Sequence, residues 1–213
     1  MNQHAPSPMK PLALVEALMQ DAAGGDLLGS VASQALSSGG KRTRAQLALA
    51  AGEALGVWTV PWAAACELLH NATLVHDDLQ DGDRTRRGKP TVWAEHGPAQ
   101  AINAGDLMLM LPTLVLGGLP VEHRWPMAEL LHSGAVACVR GQALELSLPT
   151  LAHPSRQDWD AAVRGKSGEL LALPVQGACL LAGRDDASSV GQVFRELGVL
   201  YQLADDLTDL YGD

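Results

Sequence analysis

The chain has 213 residues, a formal net charge of −9 at pH 7 and a pI near 5.1. This acidic balance, without a basic stripe, argues against nucleic acid as the main partner, because no cations are available to replace counterions on a phosphate backbone. Ala and Leu are abundant, whereas there is a single Phe and a single Ile among the usual strand formers. Length and composition therefore predict an all-α protein with one domain.

Apolar residues recur at helical spacing along nearly the whole chain, and Gly- and Pro-rich stretches divide the pattern. The sequence predicts a flexible N-terminal tail over 1–11 and a single helical domain over 12–213. The predicted helices are 9–22, 27–37, 41–56, 61–80, 98–116, 124–148, 157–182 and 187–211.

The three cysteines, Cys66, Cys138 and Cys179, lie far apart in apolar helical runs. Their spacing forms neither a disulfide framework nor a metal-binding pair, which suits a reducing compartment. The N-terminal segment has no signal-peptide pattern, and Gly, Pro or charged residues break every apolar run before the ~20 residues of a membrane span. We therefore expect a cytoplasmic protein with no membrane span.

Two aspartate-rich segments have the same pattern, DDLQD at 77–81 and DDLTD at 205–209. Residues four apart share a helix face, so the first and last aspartates of each segment point the same way. Carboxylates this close repel one another unless a cation lies between them, and Mg²⁺ prefers oxygen ligands and bridges to phosphates. One such segment alone favours a solvated acidic face. Two of them, each set in apolar helix, predict a divalent metal site.

Basic residues accompany these aspartates. The segment GGKRTR at 39–44 opens a helix, where backbone N–H groups and the helix dipole favour an anion. The basic loop DRTRRGKPT at 83–91 directly follows the first aspartate segment, although a solvated loop could have the same composition. Lys166 and Ser167 interrupt another apolar helix, where a lone lysine could also extend its ammonium to the surface. Together these segments predict a phosphate-binding site.

These motifs, in this order, resemble those of the trans-isoprenyl diphosphate synthase family, also called polyprenyl synthetases. The matching segments are GGKRTR, ELLHNATLVHDDLQDGDRTRRGKPT, Gly105-Asp106, Gly141 to Glu145, Lys166-Ser167 and YQLADDLTD. Glu145 departs from the pattern, which usually has Asp there. The resemblance implies a helical bundle around a central cavity, apparently without the family's C-terminal helices. It also implies that Mg²⁺ assists the head-to-tail condensation of an allylic diphosphate with isopentenyl diphosphate.

The resemblance implies a role for each motif residue. The metal ligands would be Asp77, Asp78, Asp81, Asp205, Asp206 and Asp209. The residues holding isopentenyl diphosphate would be Lys41, Arg44, His70 and Arg87. The allylic diphosphate would contact Arg86, Lys166 and Ser167, and Gln202 would face the reacting carbons. The residues expected to act in catalysis are Asp77, Asp81, Lys166, Asp205 and Gln202.

Product length is expected to depend on the depth of an apolar tunnel. Ala72 and Thr73 lie about one turn before Asp77 and are small, whereas short-chain family members carry an aromatic there. Met108 and Leu111, on a neighbouring helix, could instead form the tunnel floor, with Ala72 and Thr73 serving as core packing. The small side chains predict a product of C20 or longer.

Two alternatives of other classes stay open. A non-catalytic subunit of a heteromeric synthase would fit a chain without the last helices, although both aspartate segments are kept. A class I terpene cyclase would share the fold, but such cyclases typically replace the second aspartate segment and need no isopentenyl site. The family is usually dimeric, so the resemblance also implies a homodimer.

Overall fold

The computed structural model describes residues 9–211, without the side chain of Asp209. This part of the chain is almost entirely helical, as the composition predicts. The ten α-helices of the described residues are α1 Pro11–Ala23, α2 Leu27–Leu36, α3 Thr43–Leu55, α4 Val60–Asp81, α5 Val92–His96, α6 Pro98–Val115, α7 Val121–Ser147, α8 Arg156–Val163, α9 Glu169–Leu181 and α10 Ala187–Tyr211. Two-residue strands, β1 Thr85–Arg86 and β2 Lys89–Pro90, pair in an antiparallel hairpin.

Helix ends follow the local signals in the sequence. Pro61 and Pro98 lie in the first turns of α4 and α6, where a missing N–H leaves no intrahelical bond unmade. Asp26 caps α2, because its side chain accepts a hydrogen bond from Gly29 N at 2.7 Å. Gly82 ends α4 with a φ of 77°, which glycine adopts without steric cost. The predicted helices consequently end within three residues of the observed ones.

Three local elements differ from the predicted pattern. The helix predicted over 157–182 is two helices, α8 and α9, joined by a five-residue π-helix, Arg164–Gly168. A π-turn keeps the helical direction, so it does not interrupt the apolar periodicity from which the helix was predicted. The β1–β2 hairpin and α5 were not predicted, because both are too short to show a period.

Helix α4 runs through the centre of the bundle and contacts α1, α3, α6 and α9. From Val60 to Leu69 every residue is buried, as expected of a helix segment surrounded on all sides. Trp62, which is fully buried, donates from its indole N–H to Pro174 O of α9 at 3.0 Å. A side chain at Gly177 would overlap this indole ring, so the glycine allows α9 to approach α4 closely. The central helix is thereby fixed against its neighbours.

By length and composition, α6 with its following turn, Pro98–Gly118, could cross a membrane; no other helix in the described part of the chain could. In the bundle, 44% of its apolar window is buried. Ala101, Ala104 and Met108 have no exposed surface, and α6 packs mainly on α4. The buried core helix of a globular domain can be as long and as apolar as a membrane span, so length and hydropathy alone do not assign α6 to a membrane.

Helix α10 lies at one side of the bundle and packs on α9 and the π-helix. Its other side leaves apolar side chains in solvent, and Val193, Leu197, Leu200 and Leu207 recur there at spacings of three, four and seven. The bundle is therefore open along one face of the helix that carries the second aspartate segment.

Candidate active site

Helix α4 contributes residues to three cavities, because successive residues of a helix point in different directions. Glu67 and His70 line the basic cavity, about 520 Å³, at the start of α3. Thr73 and Asp77 line the apolar cavity, about 180 Å³, together with residues of α6 and α7. Asp78 lines the hairpin cavity, about 190 Å³, beside β1 and β2.

The basic cavity contains all four residues expected to bind isopentenyl diphosphate. Lys41, Arg44, His70 and Arg87 line it, although they come from three separate parts of the chain. Within the described part of the chain, Arg44 Nε and His70 Nδ1 are buried without a hydrogen-bond partner. Buried polar atoms normally have partners, and leaving them without one costs free energy. The cavity is thus suited to an anionic ligand with several acceptor oxygens.

The electrostatics of the basic cavity also favour an anionic ligand. Burial, reinforced by Arg44 and Arg87, holds the pKa of His70 well below its ordinary value, so its ring is neutral at pH 7. Burial also lowers the pKa of Arg44, and the carboxylate of Glu67 only partly opposes this effect. The cavity therefore has an excess of desolvated positive charge that a diphosphate would neutralise.

Two arginines of this cavity have strained backbones. Arg42 and Arg87, with φ values of 50° and 54°, are the only non-glycine residues with positive φ in the described part of the chain. Such a conformation costs on the order of 1 kcal/mol or more and persists only where the surroundings enforce it. Arg87 Nη1 donates to Gly39 O, and its guanidinium occupies the space that a side chain at Gly40 would need. The β1–β2 hairpin is thereby tied to the loop before α3.

The apolar cavity carries a buried ion pair. Lys166 Nζ lies 3.3 Å from Asp77 Oδ2 and donates to Glu145 Oε2 at 2.9 Å. Burial raises the pKa of Asp77, although Lys166 opposes the shift. Burial alone would lower the pKa of Lys166, but the two carboxylates outweigh it and raise that pKa. Lys166 is therefore an ammonium held beside the first aspartate segment.

The π-helix that carries Lys166 is clasped between α7 and α10. A side chain at Gly141 of α7 would lie 2.6 Å from Lys166 N and 2.7 Å from Ala162 O. On the other side, a side chain at Gly198 of α10 would lie 2.7 Å from Gly168 Cα. Real side-chain carbons do not approach other atoms this closely, so only glycine allows these helices to hold the π-turn.

A hydrogen-bonded chain connects the π-turn to the second aspartate segment. Ser167 Oγ donates to Gln202 Oε1, and Gln202 Nε2 donates to Asp206 Oδ1, both at 2.8 Å. Asp205 and Asp81 are exposed. The side chain of Asp209, an expected metal ligand, lies outside the described part of the structure.

Arg86, expected at the allylic diphosphate, lines the hairpin cavity and not the apolar cavity. Its Nε donates to Asp78 Oδ1 at 2.6 Å. Burial raises the pKa of Asp78, and the bond from Arg86 opposes that shift. Each of the two buried aspartates is therefore paired with a cation of the protein itself.

The two buried aspartates also bear on whether the site could bind a metal ion. No three His, Cys, Asp or Glu side chains in the described part of the chain are grouped so that they would hold a metal. Asp77 and Asp78 nevertheless offer buried carboxylate oxygens, the donor type that Mg²⁺ prefers, and burial raises the pKa of each in spite of the cation beside it. The donor chemistry fits Mg²⁺, although the ligands are not assembled in advance.

Of the four residues expected to set product length, only Thr73 lines the apolar cavity. Ala72 is fully buried in the packed core, because one residue along a helix changes the direction of a side chain by about 100°. On α6 the cavity is lined by Leu109, whereas Met108 and Leu111 are buried in the core.

The sequence did not single out several contacts around this cavity. His76 lines it, with Nε2 3.5 Å from Asp106 Oδ1, and a side chain at Gly105 would overlap the imidazole ring. Gln142 Nε2 donates to Gln80 Oε1 at 2.9 Å. The motifs contain all five residues, but only the packing of α4 on α6 and α7 shows which of them meet.

Comparison with known proteins places this geometry in a family. The profile of the family described as Polyprenyl synthetase matches residues 26–213, and the chain belongs to that family. It is 35% identical over 178 residues to the (2E,6E)-farnesyl diphosphate synthase of Mycobacterium bovis, an overlap of 81% of this chain and 50% of the relative. It is 37% identical over 188 residues to the geranylgeranyl diphosphate synthase of Mycobacterium tuberculosis, covering 85% of this chain and 53% of that protein.

Solved structures show the same fold. Geranylgeranyl pyrophosphate synthetase from Pyrococcus horikoshii superposes with a TM-score of 0.88 at 29% identity, over 95% of this chain and 65% of that one. Geranyltranstransferase from Thermotoga maritima gives a TM-score of 0.87 at 28% identity, over 96% and 78% of the two chains. The chain spans about half the length of the curated relatives it matches.

Proposed function

We propose that this chain carries the substrate-binding and catalytic residues of a prenyltransferase. The enzyme would condense an allylic diphosphate head to tail with isopentenyl diphosphate, releasing diphosphate and a longer trans-polyprenyl diphosphate. One observation carries the proposal: a basic cavity and an apolar cavity with a charged pair are both lined by helix α4. This arrangement suits two diphosphate substrates, one of which also carries a long apolar tail.

Isopentenyl diphosphate would occupy the basic cavity. Lys41, Arg44 and Arg87 would bind its diphosphate, and the neutral ring of His70 would donate one hydrogen bond from its N–H. Because Arg44 is desolvated, its attraction to the anion is less screened than at the surface. The substrate would be fixed with its double bond directed at the allylic carbon.

The allylic diphosphate would lie beside Lys166, whose ammonium stabilises the charge that develops on the leaving oxygen. Arg86 would join it after leaving Asp78, and Ser167 and Gln202 would orient the reacting end. Mg²⁺, when bound, would neutralise the leaving diphosphate and assist cleavage of the C–O bond. The residues proposed to hold it are Asp77, Asp78, Asp81, Asp205, Asp206 and Asp209.

The prenyl tail would occupy the apolar cavity. Leu109, Cys138, Val139 and Leu146 contribute to its walls, and with the tail bound these apolar side chains would limit the access of water to the allylic cation. Burial raises the pKa of Cys138 to about 12, so its thiol stays protonated and does not trap the cation as a thiolate. Proton loss to the released diphosphate would complete the step.

An elongation assay tests the proposal. The purified full-length protein is incubated with labelled isopentenyl diphosphate, geranyl or farnesyl diphosphate and Mg²⁺, and the products are separated by chain length. We expect labelled polyprenyl diphosphates to form, and we expect EDTA to abolish their formation. A folded protein that binds substrate without elongating it would be a non-catalytic subunit. Hydrocarbon formed without isopentenyl diphosphate would indicate a cyclase.

We further propose that the protein is a cytoplasmic homodimer. Large apolar side chains are exposed on α6 and α7, among them Leu114 and Trp125, at 68% and 76% of their surface. Isolated exposed apolar residues are ordinary, but several on adjacent helices favour a contact with a second subunit.

We expect Thr73→Phe to shorten the product by at least one C5 unit from a wild-type length of C20 or more. Thr73 lines the apolar cavity, and a phenyl ring there would fill space that the growing tail needs. Chromatography of the products measures the change. Thr73→Val is the matched control, since it keeps the volume and should keep the product length. An unaltered product from Thr73→Phe would place the floor elsewhere.

We expect Gly141→Ala to lower kcat by about tenfold to a hundredfold, because the methyl group would push the π-turn and shift Lys166 relative to Asp77. Overpacking should also lower the free energy of unfolding by about 1–3 kcal/mol. Urea unfolding and steady-state kinetics measure the two effects. Gly25→Ala is the control, since nothing lies within 4 Å of a side chain there. If Gly141→Ala kept the wild-type kcat and free energy of unfolding, α7 would be able to move enough to accommodate the methyl group.

A further inference from the structure

Glu67 is a buried carboxylate with an unusual position. Only 3% of its surface is exposed, and it belongs to α4. Its Oε2 accepts a hydrogen bond at 3.2 Å from Ala45 N, one of the first N–H groups of α3. The first N–H groups of a helix have no partner within that helix. Glu67 therefore caps α3 from a neighbouring helix, where α3 has no cap from its own sequence.

Arg42, immediately before α3, is held by the same carboxylate. Its Nη1 lies 3.8 Å from Glu67 Oε1, and its Nη2 donates to Leu36 O at 2.5 Å. Its Nε lies 3.5 Å from Glu16 Oε1 of α1. The guanidinium is thus engaged by protein acceptors from three helices, although Arg42 borders the basic cavity. These contacts stabilise the left-handed backbone at this position.

The two residues that line the basic cavity from this segment lie on either side of Arg42. Lys41 precedes it, and Arg44 follows it in the first turn of α3. The directions of the Lys41 and Arg44 side chains therefore depend on the backbone conformation of Arg42 and on where α3 begins. Glu67 contacts both places, through the guanidinium of Arg42 and the backbone N–H of Ala45.

Charge alone gives Glu67 no role in binding an anion. A carboxylate in the wall of the basic cavity repels a diphosphate, and repulsion between buried groups is weakly screened. The carboxylate would thus oppose ligand binding unless its contacts with the protein improve the site by more than the repulsion costs.

We propose that Glu67 is a positioning residue for the homoallylic diphosphate. It does not touch the substrate; it fixes Arg42 and the first turn of α3 so that Lys41 and Arg44 converge on one anion. This inference rests on the proposed function of the basic cavity.

Calorimetric titration of the full-length protein with isopentenyl diphosphate, in EDTA, tests it without turnover or metal. We expect Glu67→Ala to weaken binding by about tenfold or more, since it removes both the cap of α3 and one of the partners of Arg42. Glu67→Gln keeps an acceptor for Ala45 N–H and should weaken binding less. Arg42→Ala should also weaken binding. It tests the same contact between Glu67 and Arg42 if the Glu67 variants do not fold. In separate steady-state assays with Mg²⁺, the KM for the allylic substrate should stay unchanged in all three variants.

Tighter binding by the Glu67 variants would overturn the proposal, because the carboxylate would then act only by repulsion. Unchanged binding with a lower melting temperature would also overturn it, since the role would then be structural. If the unmodified protein binds no isopentenyl diphosphate, the proposed function of the cavity fails together with this inference. Normal binding by the unmodified protein and by all variants would overturn this inference alone.

Discussion

Replacing Asp77 by Asn is expected to reduce kcat for chain elongation by on the order of 10³-fold, the largest effect of any single change considered. Asp77 is 7% exposed and lies 3.3 Å from the ammonium of Lys166. Asn has nearly the same shape but no negative charge, so it would weaken a metal site and remove one of the two carboxylates beside Lys166. The fold should survive, because the volume is unchanged.

Steady-state kinetics at several Mg²⁺ concentrations would measure this effect. Asp83→Asn is the matched control, since Asp83 is an exposed carboxylate two residues beyond the same segment. The control should keep the wild-type rate, whereas more Mg²⁺ should not restore Asp77→Asn fully. Equal rates for the two variants would show that the first aspartate segment is only an acidic helix face.

Replacing Arg44 by Ala is expected to raise the KM for isopentenyl diphosphate by about 100-fold and to leave the KM for the allylic substrate unchanged. Arg44 lines the basic cavity, and its Nε is buried without a partner in the described part of the chain. Removing one member of a buried charge pair costs about 2–5 kcal/mol, which is consistent with a change of this size. Only the KM for isopentenyl diphosphate should change, because the two substrates are proposed to occupy different cavities.

Arg44→Lys should restore little of this affinity, since an ammonium cannot reproduce the planar, multiple hydrogen bonding of a guanidinium to a diphosphate. Arg156→Ala is the control, because that side chain is 86% exposed and only pairs with Asp160 within its own helix. Initial rates at varied concentrations of each substrate measure both KM values. A normal KM for isopentenyl diphosphate in Arg44→Ala would place its binding site outside the basic cavity.

Much of the candidate site could be predicted from sequence because each motif is a short segment with local meaning. Lys41 and Arg44 belong to one helix start, and Arg87 belongs to one loop. Their convergence with His70 was implied by the resemblance to a family, and the structure places all four in one cavity. The pairing of Arg86 with Asp78 could not be predicted, because it depends on how the β1–β2 hairpin folds against α4.

The sequence by itself determined the helical class, the outer limits of the eight predicted helices to within three residues and the candidate site residues. These properties depend on periodicity and on residue type, which are local. Only the tertiary structure decided that Glu67 caps α3, that Gly141 meets the π-turn, and that Leu109 lines the apolar cavity while Met108 does not. Those contacts depend on the rotation and register of one helix against another, which result from the packing of the whole core and leave no period in any single segment.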